Sequence, residues 1–322
     1  IAQGISQTLL SIVLLTLGYG VTGMMISSAV ASSLVAVATV IYFRRDLQGG
    51  RAEFDKRHYQ YIGFIVCSMF FLYCLNGAEN WLVIIHLGKQ QLAIFYAAGQ
   101  FALMISVAFE PFRMWWFARR YNVYNTDPDA CAEQTVLGVQ IGMLIAAAML
   151  VCAPLLMAFM LPESYADSAH LVPWLCLIMS LKFHSELLNI GCFLKKNASL
   201  APAINGACAV VLLSSGYFLL EYFGIAGLLL SMTLVALLRC SLFYVISQRM
   251  VFLNYNHRQL LLSWGCFLLL LGASQLIDNH DSALYLGCVI SLFLINVLVI
   301  IYGYRHYWRG LSFSALRRVI SN

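Results

Sequence analysis

The sequence predicts an all-α, polytopic membrane bundle of about ten transmembrane helices. Of its 322 residues, 61% are hydrophobic and only 10% are charged, and the mean hydropathy is +0.82. A soluble domain carries about 25% charged residues, so this chain has too few charges to cover a water-exposed surface. Its apolar runs are about 20 residues long, which suits transmembrane helices, whereas a strand of a membrane barrel needs only about 10.

Ten apolar runs define the predicted helices. They are Ile5–Leu17, Gly23–Phe43, Tyr61–Val83, Leu92–Phe117, Thr135–Leu161, His170–Leu194, Leu200–Leu220, Ile225–Ser247, Leu260–Ile277 and Ala283–Tyr304. The loops on one side are short, and the largest, near Pro162–Ser168, is too small to hold a catalytic domain. No nucleophile, general base or metal-ligand constellation is visible, so the sequence predicts a protein that is not an enzyme and has no cofactor.

The basic residues are strongly biased to one side of this predicted topology. Of the 19 lysines and arginines, Lys182 and Arg239 fall inside helices and Lys89 alone falls on one side. The other sixteen fall on the opposite side, in the loops after even-numbered helices and in the C-terminal tail. Because cytoplasmic loops carry the excess of Lys and Arg, we expect an inner-membrane protein with both termini of this chain in the cytoplasm. The net charge of +5 therefore indicates topology and not a nucleic-acid partner.

The ten cysteines lie mostly inside the helices, without a C-x-x-C motif or a His/Cys ligand spacing. We interpret them as small core residues and expect neither disulfides nor a metal site. The sequence begins with Ile and not Met, which favours a cut fragment or a misassigned start.

Charge and composition divide the chain into four predicted regions. Residues 1–43 hold two helices, 44–60 form a charged cytoplasmic linker, 61–248 form a six-helix lobe, and 249–322 hold two appended helices and a basic tail. The turn Gly20–Gly23 joins the first two helices, and a similar turn, Gly224–Gly227, joins the seventh and eighth. Both turns face the same side, which fits a parallel repeat of two lobes; chance similarity of two short turns is the alternative.

Three stretches carry a family resemblance. In Asn76–Phe112, Glu79 stands near a helix end and is followed by a glycine turn and Ile94–Ala98. Glu163–Leu194 is a loop with Tyr165 and Pro173 before a helix that ends in two lysines, and Phe223–Met232 reads FGIAGLLLSM. In these stretches the sequence resembles the polysaccharide-transporter (oligosaccharide flippase) branch of the MOP superfamily, whose relatives include MATE antiporters and lipid II flippases. It departs from the family pattern at Glu79, usually Asp, and at Asn80, usually Arg.

The resemblance implies a two-lobe transporter of fourteen helices, of which this chain would hold helices five to fourteen. It also implies the function, which is to flip a polyprenyl-diphosphate-linked oligosaccharide, such as an O-antigen or exopolysaccharide repeat unit, across the inner membrane by alternating access. The implied partners are that lipid-linked oligosaccharide, membrane lipids and the polymerase and export proteins of polysaccharide synthesis.

Ionisable residues at membrane depth are the candidate site residues, because each costs roughly 2.5–3.5 kcal/mol to insert. We expect Lys182 and Arg239 to face a water-filled cavity and bind the substrate diphosphate, with Glu79 as a third substrate-binding residue on the family match. The alternative for the two cations is structural: Lys182 would pair with Glu186 in the next helical turn, and Arg239 with another acid.

The remaining three ionisable residues are candidates for ion coupling. Glu186 and His184 titrate within reach of physiological pH when their environment shifts them. Glu110 is the third, although its position beside Pro111 and close to Arg113 favours a kinked helix end held by a local ion pair.

Three other functions compete with the flippase prediction. A MATE-type antiporter needs an acidic cavity that receives cations, so unpaired cations in the lumen argue against it. A lipid II flippase shares the helix plan and differs in substrate. A non-transporting scaffold for a polysaccharide synthase complex needs no hydrated, charged lumen and would have a tightly packed interior.

Overall fold

The computed structural model describes residues 2–44, 56–194 and 199–276, with short pieces between residues 287 and 301. All regular secondary structure in these residues is helical, which confirms the predicted fold class. Within the described part of the chain, four stretches are long and apolar enough to cross a membrane, namely Gly20–Tyr42, Ile62–Thr126, Pro128–Met160 and Leu200–Met250. Most of the tenth predicted helix, the basic tail, and Lys195 and Lys196 lie outside the described residues.

The helices are numbered here in chain order. They are α1 (Ala2–Thr16), α2 (Gly20–Tyr42), α3 (Lys56–Asn76), α4 (Ala78–Thr126), α5 (Pro128–Met160), α6 (Val172–Leu187), α7 (Ile190–Leu194), α8 (Leu200–Met250) and α9 (His257–Leu276). A 3₁₀ helix, Glu163–His170, occupies the loop between α5 and α6. The chain forms two compact units, Ile1–Tyr59 and Gln60–Asn322.

The first unit is a helical hairpin made of α1 and α2. Gly18 and Gly20 have φ angles of +84° and +53°, a left-handed conformation that glycine adopts without steric cost. The two helices come close together at Gly23, where an added Cβ atom would lie 2.9 Å from Leu14 Cβ. Deeper in the hairpin the hydroxyls of Ser11 and Ser27 are 2.5 Å apart.

A similar hairpin lies inside the second unit, within α8. Gly224 has a φ of +60° and divides α8 into two helices, and a Cβ at Gly227 would collide with the Leu219 carbonyl. The hydroxyls of Ser215 and Ser231 are 2.7 Å apart. In both hairpins the paired serines are 16 residues apart. The likeness noted in the sequence therefore extends to backbone conformation and to a partly buried contact between two serine hydroxyls, while the two-lobe repeat stays a prediction.

Two glycines shape the chain around the cavity described below. Gly88, with φ +83°, divides α4 where the sequence predicts a loop between two helices. Gly77 has φ −152° and ψ −25° and separates α3 from α4, so the predicted continuous helix Tyr61–Val83 is wrong at this point. The helical segment between Gly77 and Gly88 is about 15 Å long at 1.5 Å per residue. That is roughly half of a bilayer core of about 30 Å.

Three predicted helix boundaries are also corrected. The fourth helix does not end at Phe117 but continues to Thr126, so Arg119 and Arg120 lie in a helix and not in a loop. The fifth begins at Pro128, because the Asp127 carboxylate caps it by accepting a hydrogen bond from the Ala130 amide at 3.0 Å. The sixth is interrupted between Leu187 and Ile190.

The core of the second unit fixes the relative positions of α4, α5, α6 and α8. Trp116 and Phe109 on α4 are almost completely buried. Gly138 on α5 allows α4 to come so close that a Cβ atom there would meet the Phe112 ring at 2.5 Å. This packing holds the α4 and α6 faces that line the cavity.

Candidate functional site

A cavity of about 330 Å³ lies among α4, α6 and α8 in the second unit. Its volume is at the lower end of the range for small-molecule sites, about 300–1,000 Å³. The wall is mostly apolar, as in such sites, with ionisable residues at a few points. Four of these residues are Glu79, Arg113, Lys182 and Glu186.

Helical periodicity explains which side chains reach the cavity. After Gly88, α4 presents residues spaced three or four apart, which share one helix face. They are Tyr96, Gln100, Leu103, Ser106 and Arg113. On α6 the same spacing brings Leu175, Met179, Lys182 and Glu186 to the wall. The i, i+4 relation of Lys182 and Glu186 therefore directs both side chains towards the cavity.

Glu79 reaches the cavity because α4 starts at Ala78, immediately after the break at Gly77. The side chain is only 6% exposed and lies in the first turn of the helix, where the positive end of the helix dipole favours a carboxylate. Its Oε2 atom is buried and forms no hydrogen bond with any residue that the structure describes.

Lys182 has no acidic partner among the described residues, since no carboxylate there lies within 4.0 Å of its amino group. The structural alternative, a pair of Lys182 with Glu186, is therefore wrong. Glu79, Glu186 and Arg239 remain close enough to interact with Lys182 electrostatically. A cation at membrane depth without a direct counter-ion is costly, which makes Lys182 the strongest candidate for an anion-binding residue.

Glu186 pairs instead with Arg113, which extends from α4. Arg113 Nη1 is 3.6 Å from Glu186 Oε2, and Arg113 Nη2 is 2.6 Å from Glu110 Oε2. The predicted local pair of Glu110 and Arg113 is confirmed, although α4 continues well beyond Pro111. Glu110 and Glu186 are thus already bound to a cation, unlike Glu79.

Arg239 lies beside the main cavity, in a small pocket of about 20 Å³ that Lys182 also lines. Its Nε donates a hydrogen bond to Asn205 Oδ1 at 2.9 Å, and its guanidinium lies 5.3 Å from the centre of the Phe243 ring. No carboxylate in the described residues lies within 4.0 Å of it, so the structural alternative, a pair of Arg239 with an acid, is wrong. The structure brings Arg239 near Lys182 but does not bring it to the wall of the 330 Å³ cavity.

His184 points away from the cavity. Trp264 Nε1 donates a hydrogen bond to His184 Nδ1 at 2.8 Å, and the two rings stack with centroids 5.5 Å apart. Nδ1 must therefore be the unprotonated ring nitrogen. This contact ties α6 to α9, so the geometry gives His184 a packing role and separates it from Glu186.

Three features of the site were missed in the sequence. The sequence groups Arg113 with the basic residues of the cytoplasmic side, whereas the structure places it in the cavity wall. Gln100 was overlooked because a single amide in an apolar helix carries no motif. The break at Gly77 had a signal, because Asn-Gly is a strong turn dipeptide, but the apolar residues on both sides concealed it.

The cavity wall, mostly apolar with a few charged and amide side chains, has the composition of a ligand-binding site. Among the described residues no group of three or more His, Cys, Asp and Glu side chains could hold a metal ion. Comparison of the chain with protein-family models, with curated proteins and with solved structures found no match in any of the three.

Proposed function

We propose that this protein flips a polyprenyl-diphosphate-linked oligosaccharide from the cytoplasmic to the outer leaflet of the inner membrane by alternating access, with both termini of the chain in the cytoplasm. The observation that supports the proposal is Lys182, a cation in the wall of a 330 Å³ cavity without a carboxylate within 4.0 Å in the described chain. A diphosphate needs cations along its path through a low-dielectric layer. An ammonium group without a counter-ion is available to provide that charge.

The rest of the cavity is compatible with the charged head of such a lipid. Arg113 adds a second cation to the wall, and Arg239 lies in the adjoining pocket. Amide and hydroxyl side chains such as Gln100 and Ser106 add hydrogen-bonding groups. The volume suits the diphosphate and the first sugar, and the polyprenyl chain would remain in the lipid.

A cation antiporter is the second candidate. The observation that favours it is that no cation lies within 4.0 Å of the Glu79 carboxylate in the described residues. Two observations weigh against it. The other acids near the cavity, Glu110 and Glu186, are already paired with Arg113, and a free Lys182 repels a cationic drug. A scaffold without transport activity would not need a charged cavity at all.

Genetic complementation tests the proposal. We would express the complete parent gene in one strain that lacks a polysaccharide flippase and in another that lacks a multidrug antiporter, and measure surface glycan and drug resistance in parallel. Restored glycan supports the proposal. Drug resistance without glycan overturns it in favour of an antiporter, and neither phenotype, with the protein present in the membrane, overturns it in favour of a scaffold.

Substitution of Lys182 then tests the residue that carries the proposal. We expect Lys182→Met to lower surface glycan at least tenfold at unchanged protein abundance, because the diphosphate loses its unpaired cation. Arg119→Met is the matched control, since Arg119 is an exposed cation on α4 outside the cavity wall, and it should keep wild-type glycan. Wild-type glycan in Lys182→Met would contradict the proposed role.

A further inference from the structure

We infer that Glu79 and the polar side chains beside it form a subsite for the sugar next to the diphosphate, and that this subsite accepts a neutral or amino sugar and rejects an acidic one. The inference rests on the proposed function, because it divides the same cavity into a cationic part around Lys182 and a hydrogen-bonding part around Glu79.

The inference starts from an oxygen atom of Glu79 that forms no hydrogen bond in the described residues. The residue is 6% exposed and lines the cavity, and its Oε2 has no hydrogen-bond partner in the described chain. Buried polar atoms in folded proteins are nearly always hydrogen-bonded. Since Lys182 is too far away for an ion pair, the remaining partner is a donor that enters the cavity, such as a sugar hydroxyl, amide or ammonium group.

The neighbours of Glu79 have matching chemistry. The side chains of Asn80 and Gln100 line the same cavity and form no hydrogen bond with other described residues. Each amide offers two donors and an acceptor with two lone pairs, which suits the dense hydroxyl groups of a sugar. Tyr96 adds an aromatic ring to the wall, with an apolar face for the C–H face of a sugar and a polar hydroxyl at its edge.

Charge decides which sugar is accepted. A uronic or other acidic sugar would bring a second carboxyl group against Glu79, and two carboxyl groups that share a site of low dielectric constant cannot both ionise without a large cost. Lys182 lines the same cavity and supplies the positive charge for the diphosphate. The cavity is therefore suited to an anionic phosphate followed by a sugar without negative charge.

Binding to the purified full chain in lipid nanodiscs tests the inference, with three short-chain prenyl diphosphates as probes. The first carries no sugar, the second carries N-acetylglucosamine and the third carries glucuronic acid. We expect the wild type to bind the neutral conjugate at least tenfold more tightly than the acidic one. In Glu79→Gln that ratio should fall below about threefold, whereas the control Glu221→Gln, an exposed acid on α8, should keep it. A wild type without preference, or an unchanged ratio in Glu79→Gln, would overturn the inference.

Methyl glycosides of the same two sugars separate this inference from the proposed function. If the sugar-free prenyl diphosphate does not bind, the proposed flippase function fails. The sugar subsite then stands only if the wild type still prefers the neutral methyl glycoside and Glu79→Gln does not. If the prenyl diphosphate binds but the two sugars are not distinguished, the subsite fails and the proposed function stands.

Discussion

Arg120 shows what a buried cation looks like when its role is structural. It is 4% exposed, and its guanidinium donates to Asn189 Oδ1 at 3.1 Å and to the Tyr121 hydroxyl at 2.7 Å. It also lies 4.0 Å from the centre of the Phe117 ring. Lys182, which is half-buried, has neither hydrogen bonds nor an ion pair in the described residues, so the two cations of this unit differ in whether their charge is already used.

The hydrogen bonds of Arg120 predict that its replacement lowers the stability of the protein. Arg120→Met should lower the free energy of unfolding by about 2–4 kcal/mol, because hydrogen bonds to charged groups contribute about 1.5–3 kcal/mol and Asn189 would lose its partner. The neighbouring Arg119→Met should change it by less than about 0.5 kcal/mol, since Arg119 is exposed. Thermal unfolding in detergent measures both variants. Equal shifts would contradict the structural role of Arg120.

The ion pair of Glu186 shows that the sequence alone does not predict which charged residues of the site pair with each other. Lys182 is its nearest cation along the helix, at i+4 distance, and such neighbours form pairs on an isolated helix. The observed partner, Arg113, comes from α4, and only the packing of α4 against α6 brings it there. Residue type and depth identified Lys182 and Glu79 as candidates, but contacts between helices decided which charges remain free.

At the scale of elements, the glycine hairpin within α8 depends on two different properties of glycine. Gly224 has a positive φ, which costs an L-residue about 1–2 kcal/mol. Gly227 has no room for a Cβ atom beside the Leu219 carbonyl. Gly265 in α9 has neither constraint, because nothing lies within 4 Å of a Cβ placed there.

Alanine substitutions at these three positions should therefore change the free energy of unfolding in different directions. Gly224→Ala should destabilise the protein by about 1–2 kcal/mol, and Gly227→Ala by more, because a backbone carbonyl cannot move without separating the two helices. Gly265→Ala should stabilise α9 by roughly 0.5–1 kcal/mol, since alanine is the better helix former. Thermal unfolding of the three variants checks the order, and a stabilising Gly227→Ala would contradict the close packing of the hairpin.

For the whole molecule, hydropathy predicts more of the fold than of the site. Apolar runs of membrane length and the loops between them fix where the chain turns, as at Gly88 and Gly224, because lipid strictly excludes unpaired backbone groups. Hydropathy does not predict which helix faces pack against each other, because a face that contacts lipid is as apolar as one that contacts another helix. The break at Gly77 and the partners of Arg113 depend on packing between helices, and hydropathy therefore does not predict them.

The charge bias of the whole chain gives a prediction about orientation. Lys89, next to the turn at Gly88, is the only basic residue predicted on its side of the membrane, and sixteen are predicted on the other. Because basic loops are retained in the cytoplasm, alkaline phosphatase fused after Lys89 should be active, and green fluorescent protein fused there should be dark. Fusions after Asp127, at the end of α4, should show the reverse. The opposite result at both points would contradict the predicted orientation, in which both termini lie in the cytoplasm.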